Sequence, residues 1–251
     1  MKRISLFLIL LLLATALFAQ NRQGEPAQGA KTIKDCKGTI QDYDGNSYAI
    51  VQIGEQCWMK ENLRATHYSD GTAIPLGKTA STATAYRYEP NGHSDNVKLY
   101  GYLYNWPAVH HNAPTDKNSY LQGVCPQGWH IPYFTEWYQL SIYTLDNTPV
   151  MHTANSNYAN MRFITMGLSS KEHWNIQTSG ANQNYTDFSA IPAGCLYNGN
   201  YFHIGAYAYF WSVFEGELSP NYISIPGGLM NPEGETPTKD FGISVRCLRN
   251  E

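Results

Sequence analysis

The sequence predicts a loop-rich α+β fold, built from short antiparallel strands with one or two helices. Charged residues make up only 15% of the 251 residues, while the chain has 21 glycines and 13 prolines. Turn-forming residues are therefore dense and long amphipathic helices are scarce. Five cysteines are scattered along the chain. These observations favour short regular elements that are held together by cross-links.

An apolar segment opens the chain. Lys2 and Arg3 precede residues 4–13, which are apolar apart from Ser5, and small residues continue to Ala19. A basic start, an apolar run and small residues at its end form the pattern of a secretory signal peptide. The run is shorter than the ~20 residues that a membrane-spanning helix needs. We expect cleavage after Ala19, which leaves no transmembrane segment; an uncleaved anchor is the alternative.

The remaining chain is expected to form one domain. Residues 1–19 are the signal peptide, residues 20–32 have the composition of a flexible linker, and residues 33–251 show no further linker or repeat. Signal removal leaves 15 basic and 20 acidic residues, a formal charge of −5. Nucleic acid and anionic membranes require a basic surface, so we expect neither as a partner. The expected location is the periplasm, the outer surface or the extracellular space.

The cysteines indicate disulfides. In an oxidising compartment, scattered cysteines are more often bridged than metal-bound, and the chain has no CxxC or HExxH motif. Five cysteines allow fifteen ways of forming two bridges, so the sequence alone does not fix the pairing. We favour Cys36–Cys57, across a hairpin, and Cys125–Cys247, which ties the start of the second half to its end. Loop-closure entropy would make these worth about 3 and about 5 kcal/mol. The remaining Cys195 is expected to be a buried strand thiol rather than a reactive one.

The first part of the chain predicts a three-stranded meander. Residues 38–42 and 47–53 indicate two strands joined by the turn Asp44-Gly45-Asn46, and Gln56–Met59 indicates a third. Farther along, the aromatic-rich residues 100–106 predict another strand.

One clear helix is predicted from Phe134 to Leu145. Pro132 suits a helix start just before it. The helical spacing of apolar residues defines its expected buried stripe, which comprises Phe134, Trp137, Tyr138, Ile142 and Leu145. A second, weaker helix is predicted around Ala159–Gly167. Strands are predicted at Phe188–Ala193, Tyr201–Ile204, Tyr207–Phe214 and Gly242–Leu248.

A series of ordered motifs resembles one family. The motifs are Asp44-Gly45-Asn46-x-Tyr48, Ile53-Gly54-x-Gln56-x-Trp58-Met59-x-Glu61-Asn62-Leu63, Leu103-Tyr104-Asn105-Trp106, Cys125-Pro126-x-Gly128-Trp129-His130-x-Pro132, Glu136-Trp137, Phe188-Ser189-Ala190-x-Pro192-Ala193-Gly194, Phe210-Trp211-Ser212 and Ser244-Val245-Arg246-Cys247. Over about residues 38–249 the chain is similar to the Fibrobacter succinogenes major paralogous domain. The resemblance implies a secreted or surface protein, chiefly of Bacteroidetes and Fibrobacteres, with no established activity. The segment order is also similar to C-type-lectin-like and formylglycine-generating-enzyme-like folds, an analogy that does not carry function.

Two positions depart from the family pattern. The family usually has Ser or Thr directly after the Gly-Trp-His-x-Pro segment, whereas this chain has Tyr133 and Phe134. The helix cap is therefore expected at Thr135. Cys195 also stands where the family is expected to have a residue other than cysteine.

Catalytic and metal-binding motifs give weaker signals. Glu89-Pro90-Asn91 resembles the calcium-and-sugar motif of C-type lectins, but its position favours a plain turn. The histidines His110 and His111 would point to opposite faces of a strand, so a shared metal is not expected. His130 is expected to be packed with its ring nitrogens hydrogen-bonded. No nucleophile elbow or Cys/His frame is present. We assign no catalytic residue, metal ligand or cofactor.

Aromatic residues give the best functional signal. Tyr and Trp combine apolar faces with polar edges, which suits both sugar rings and protein partners. A Gly- and Asn-rich segment holds Tyr197, Tyr201, Phe202, Tyr207, Tyr209 and Trp211. We expect ligand contacts at Tyr197, Tyr201 and Tyr207, and expect Phe210 and Trp211 in the core.

The sequence therefore favours a secreted recognition module that binds a glycan or another surface protein without catalysis. One alternative is an enzyme of the formylglycine-generating type, which would need a reactive cysteine or a metal. The other is a structural subunit of a surface assembly.

Overall fold

A computed structural model describes residues 36–116, 119–148, 164–175, 182–225 and 237–251. These residues belong to one compact unit, Ile33–Glu251. Short strands and short helices alternate with long connections, as a chain rich in glycine, proline and asparagine requires. The predicted loop-rich α+β class is confirmed.

The N-terminal meander is confirmed. Strands β1 (Thr39–Gln41), β2 (Ser47–Ile53) and β3 (Gln56–Met59) pair antiparallel in sequence order. The Asp42 carboxylate shapes the first turn, because it accepts from the Asn46 backbone N–H at 2.9 Å and from the Tyr48 hydroxyl at 2.6 Å.

The end of the chain completes this sheet. Strands β6 (Trp129–His130) and β11 (Leu248–Arg249) extend it in the order β1-β2-β3-β11-β6. The final strand thus lies between two segments that come much earlier in the sequence. Three two-stranded sheets accompany it: β4 (Arg87–Tyr88) with β5 (Leu103–Tyr104), β7 (Cys195–Tyr197) with β8 (Asn200–Phe202), and β9 (Ala208–Val213) with β10 (Pro220–Ile225).

The aromatic segment 100–106 is only partly a strand, so that prediction is corrected. Helix α1 (Val97–Tyr100) precedes β5, and helix α2 (Trp106–Val109) follows it. Gly101, at φ 72°, ends α1 and donates its N–H to the Val97 carbonyl. The Asn105 side chain caps α2 by accepting from the Ala108 N–H at 3.3 Å. Capping residues therefore override the strand preference of the tyrosines.

The long helix α3 (Phe134–Asn147) is confirmed, but its predicted buried face is wrong in part. Tyr138 and Ile142 are 54% and 41% exposed, whereas Ser141 and Thr144 are fully buried beside the expected Trp137. The two hydroxyls donate to helix carbonyls one turn back, at 2.9 and 2.7 Å, so burial leaves neither unsatisfied. Ser141 and Thr144 therefore act as small core residues, and the buried face of α3 is rotated relative to the predicted one.

The expected cap at Thr135 is also wrong. The cap residue is Tyr133, two residues earlier than expected, and the helix begins at Phe134. The Glu136 carboxylate accepts from the Tyr133 N–H at 2.7 Å and so satisfies one of the free amides of the first turn. An acidic side chain inside the first turn replaces the missing Ser or Thr.

The C-terminal third differs from its predicted strands. Residues 188–193 form no strand beyond a single bridge between Ser169 and Ala190. Strand β10 was not predicted, although it pairs with β9 over six residues. Residues 242–247 make isolated bridges before β11 begins. Residues 164–168 are helical, and the rest of the helix predicted around Ala159–Gly167 lies outside the described residues.

Both favoured disulfides are confirmed. Cys36 bonds to Cys57, and Cys125 bonds to Cys247 across 122 residues of sequence. The second bridge stands beside the pairing of β11 with β6, so it ties the last strand of the chain to the segment that carries β6. Aromatic residues fill the core around it, and the expected core positions Phe210 and Trp211 are fully buried.

Candidate functional site

A tight hairpin presents the predicted ligand-binding tyrosines. Strands β7 and β8 are joined by Asn198 and Gly199, whose φ angles are 48° and 75°. This pair of left-handed residues makes the turn that suits the twist of a two-residue hairpin, and Asn-Gly is its preferred sequence. Tyr197 stands at one end of the turn and is 42% exposed.

Six aromatic side chains meet beside this hairpin, and we call them the aromatic patch. Its members are Tyr197, His203, Tyr207, Tyr209, Tyr222 and Phe241. Tyr207 lies parallel to Tyr209 with ring centroids 5.6 Å apart. Tyr197 meets Phe241 edge-on at 5.9 Å. Phe241 also contacts Tyr209, so it links Tyr197 to the stacked pair.

The patch has a buried floor and an accessible rim. Tyr209 and Phe241 form the floor, each 9% exposed, while Tyr207 and Tyr222 are partly exposed. The Tyr209 hydroxyl lies 2.8 Å from Nδ1 of His203, which fixes the edge of the floor. Burial raises the pKa of Tyr209, so its hydroxyl stays protonated at neutral pH. The rim rings are thus held on a rigid base.

Tyr201 lies apart from the patch. It pairs with Leu196 across the hairpin, and paired residues share one face of an antiparallel ladder. Tyr197 therefore points to the opposite face. The Tyr201 ring packs against a small core cluster that contains Tyr88 and Leu103. The structure thus brings two of the three predicted tyrosines, Tyr197 and Tyr207, into one cluster.

Sequence reasoning missed His203, Tyr222 and Phe241. Tyr222 lies on β10, whose Tyr-Ile-Ser-Ile residues favour a strand but do not alternate strictly, so the local signal is weak. Phe241 comes from a segment more than 30 residues away from the hairpin, and nothing in its neighbours marks it as a ligand contact. Only the folded chain shows that these rings converge.

The three histidines considered as metal ligands do not form a metal site. His130 is fully buried, and its ring nitrogens contact Asn250 at 2.8 Å and Glu136 at 2.9 Å, which confirms the expected hydrogen bonding. His110 and His111 follow helix α2 and not a strand, so the reasoning that separated them was wrong. Among the described residues, no three His, Cys, Asp or Glu side chains lie close enough to hold a metal ion.

Cys195 is the buried strand thiol that we expected. It lies on β7 and is 4% exposed. Burial raises the pKa of this thiol to about 12, so it is almost entirely protonated at neutral pH. A thiolate nucleophile would need the opposite shift. Cys247 is held in a disulfide, so the late pair of reactive cysteines that a formylglycine-type enzyme needs is not formed by these residues.

The turn expected at Glu89-Pro90-Asn91 is also present. Residues Pro90–Gly92 form a 3-10 turn, and Asn91 adopts a left-handed φ of 55° inside it. This conformation suits asparagine in tight turns.

These features define the class of the protein: a loop-rich α+β module, cross-linked by two disulfides, that exposes an aromatic patch. The family model of the Fibrobacter succinogenes major domain matches residues 51–249 of the sequence. This match covers most of the chain, which therefore belongs to that family. No curated protein and no solved structure matches it, and the likeness to C-type-lectin-like folds stays a prediction. Within the described ranges, every helix is too short or too polar to cross a bilayer.

Proposed function

We propose that this protein is a secreted recognition module that binds a neutral polysaccharide through the aromatic patch. The observation that carries the proposal is the partly exposed Tyr207 ring stacked on the buried Tyr209 ring, with the exposed Tyr197 in the same patch. The C–H faces of sugar rings pack on aromatic faces, and the tyrosine hydroxyls can exchange hydrogen bonds with sugar hydroxyls.

The composition of the patch favours a neutral ligand. Five of its six members are Tyr or Phe, and the sixth, His203, has one ring nitrogen engaged with Tyr209. Aromatic faces pack on the C–H faces of sugars and offer no charge pairing to an ionic polymer. Because the rings of the patch are already packed on one another, a ligand would immobilise few side chains, which lowers the entropic cost of binding.

The start of the chain and its cross-links support secretion. Residues 1–19 have the pattern of a signal peptide, and disulfides persist mainly in oxidising compartments. We propose that residues 20–32 form a linker and that residues 33–251 form the exported domain. The mass of the protein recovered from the producing cells tests this proposal, with cleavage after Ala19 as the expected result.

The binding proposal is tested by substitutions on the rim. Tyr197→Ala and Tyr207→Ala should each weaken binding to a retained polysaccharide about tenfold, because each removes a stacking surface. Tyr138→Ala is the matched control, since Tyr138 is an exposed tyrosine on α3 outside the patch. Retention on insoluble polysaccharides and a glycan array provide the measurement.

Two outcomes would contradict glycan binding at the patch. The folded protein could fail to bind any polysaccharide, or the control could lose as much affinity as the patch variants. A concentration-dependent oligomer without glycan binding would favour the structural-subunit alternative. Rapid labelling of Cys195 in the native protein would instead favour the enzyme alternative, because it requires an accessible thiolate.

A further inference from the structure

A cavity elsewhere in the sequence, which we call the polar pocket, shares no residue with the aromatic patch. Its volume is about 220 Å³, and it is lined by Tyr68, Ser69, Asp70, His111, Asn112, Gln122 and Gly123. Three separate stretches of chain contribute: the loop before residue 74, the turn after α2, and the segment before Cys125. The pocket is smaller than the 300–1,000 Å³ typical of sites for drug-sized ligands.

Two buried polar atoms in this pocket have no hydrogen-bond partner. Tyr68 is 3% exposed, yet its hydroxyl is unpaired. Nε2 of His111 is buried and makes no hydrogen bond either; the nearest carboxylate oxygen, Asp70 Oδ2, is 3.9 Å away. Buried polar groups are nearly always hydrogen-bonded in folded proteins, and exceptions point to a missing partner. Two such atoms, on two residues that line one cavity, indicate that something else completes the site.

The unpaired groups are held in fixed positions. The Tyr68 and His111 rings stack with centroids 3.7 Å apart and planes inclined by 13°. Asp70 lies in a tight turn in which Oδ1 accepts from the Thr72 N–H at 2.8 Å. This hydrogen bond lowers the pKa of Asp70 and keeps the carboxylate charged. Its other oxygen, Oδ2, lies 3.5 Å from the Asn112 amide nitrogen and 3.9 Å from His111 Nε2.

Gln122 and Gly123 build the opposite wall. Gln122 donates to the Ser69 hydroxyl at 2.6 Å and to the Cys125 carbonyl at 3.1 Å. Gly123 has a φ of 53°, and a Cβ on it would lie 1.9 Å from the Val109 carbonyl oxygen. Any larger residue would therefore displace the turn that carries His111. The wall is preorganised before a ligand arrives.

The chemistry of the lining selects a neutral, hydroxylated ligand. A carboxylate repels anions, and one carboxylate alone is a poor site for Ca²⁺, which takes six to eight oxygen ligands. The carboxylate can only accept, the amides donate and accept, and the tyrosine hydroxyl does both. Adjacent hydroxyls on one ligand can also donate and accept, so they match this mixture.

We propose that the polar pocket binds a single sugar residue or a polyol of similar size. Asp70 accepts from ligand hydroxyls, while Tyr68 and His111 gain the hydrogen bonds that they lack in the free protein. This inference goes beyond the proposed function, because it concerns a different site and a small ligand instead of a polymer.

The test uses the purified protein and a panel of methyl glycosides of neutral sugars, with glycerol and inositol as polyols. Binding is followed through the NMR signals of the His111 imidazole and by calorimetry. At least one panel member should shift the His111 signals in a saturable way. Asp70→Asn should weaken its binding at least about tenfold, because charge-assisted hydrogen bonds are the stronger ones.

Tyr68→Phe separates binding from folding. It removes the unpaired hydroxyl and keeps the ring that stacks on His111, so thermal stability should stay the same or rise while affinity falls several-fold. Asp95→Asn is the control, since Asp95 is exposed and does not line the pocket.

The results that would overturn binding at the polar pocket differ from those that would overturn polysaccharide binding at the aromatic patch. The inference is overturned if no panel member shifts the His111 signals, if only ordered water fills the pocket, or if Asp70→Asn and Tyr68→Phe bind as the unmodified protein does. Polysaccharide binding that depends on Tyr197 would survive those results. Conversely, glycoside binding that persists in Tyr197→Ala supports the pocket independently.

Discussion

At the scale of single residues, Arg246 shows how the family motif Ser244-Val245-Arg246-Cys247 acts. The guanidinium is fully buried, and no carboxylate of the described residues lies within salt-bridge distance of it. It donates instead to Asn62 Oδ1 at 2.7 Å and to the Phe188 carbonyl at 2.6 Å, and it lies 4.6 Å from the Phe188 ring centroid. Burial lowers the pKa of Arg246 to about 9, so it stays charged at neutral pH.

Arg246→Lys should therefore destabilise the fold. A lysine keeps the charge but cannot donate in several fixed directions to Asn62 and the carbonyls at once. We expect a loss of about 3 kcal/mol in the free energy of unfolding, since hydrogen bonds to charged groups are worth about 1.5–3 kcal/mol each. Urea unfolding measures it.

Lys98→Arg is the control for this substitution. Lys98 is exposed, so the change should shift the free energy of unfolding by less than about 0.5 kcal/mol. An equal effect of the two substitutions would show that the buried network around Arg246 contributes little.

At the scale of elements, Glu136 joins strand β6 to helix α3. Its carboxylate accepts from the Tyr133 N–H at the helix start and contacts His130 Nε2 at 2.9 Å. A negative charge in the first turn also interacts favourably with the helix dipole. One side chain thus sets where the helix begins and how it sits against the sheet.

Glu136→Gln should lower the free energy of unfolding by about 1–2 kcal/mol. The amide can still accept from the Tyr133 N–H, but the charge that faces the helix start and His130 is lost. Chemical denaturation followed by far-ultraviolet circular dichroism tests it. Glu55→Gln, in the exposed turn between β2 and β3, should have almost no effect; a matching loss there would refute the argument.

The elements also show how far sequence patterns reach. The meander and α3 were predictable because turn residues and helical periodicity are local signals. The buried face of α3 was not, because Ser141 and Thr144 count as polar in a pattern but become core residues once their hydroxyls bond to the helix carbonyls. Strand β10 was missed because its identity depends on pairing with β9.

At the scale of the whole molecule, the two disulfides should contribute unequally. Cys125–Cys247 spans 122 residues and Cys36–Cys57 spans 21, so loop-closure entropy gives upper values of about 5 and about 3 kcal/mol. The double variant Cys125→Ser/Cys247→Ser should therefore lose more stability than Cys36→Ser/Cys57→Ser. Urea midpoints under non-reducing conditions provide the comparison. The reverse order would mean that native-state packing, and not loop length, governs the effect.

The fold should be lost in alkali. Burial raises the pKa of Tyr88 and Tyr133 from 10.0 to about 12, and that of Cys195 from 9.0 to about 12. Because the folded pKa values exceed the unfolded ones, the stabilisation is complete below about pH 9 and declines as the pH rises towards 12. Tyrosinate absorbance should therefore increase together with the loss of circular dichroism.

Two variants check the alkaline prediction. Tyr133→Phe should make stability fall less steeply with pH, whereas Tyr138→Phe, at an exposed position, should leave the profile unchanged. Ionisation of every tyrosine at its ordinary pKa, with the circular dichroism intact, would contradict it.

The sequence by itself determined the family, the α+β class, the meander, the position of α3 and the buried state of Cys195, and it favoured the two disulfides without fixing their pairing. The disulfides apart, each of these follows from residue type and from local motifs and spacing. Only the tertiary structure decided which tyrosines share a face, which rings join them, and that Tyr68, Asp70 and His111 line one cavity. These groupings depend on contacts between segments tens of residues apart, which no local pattern specifies.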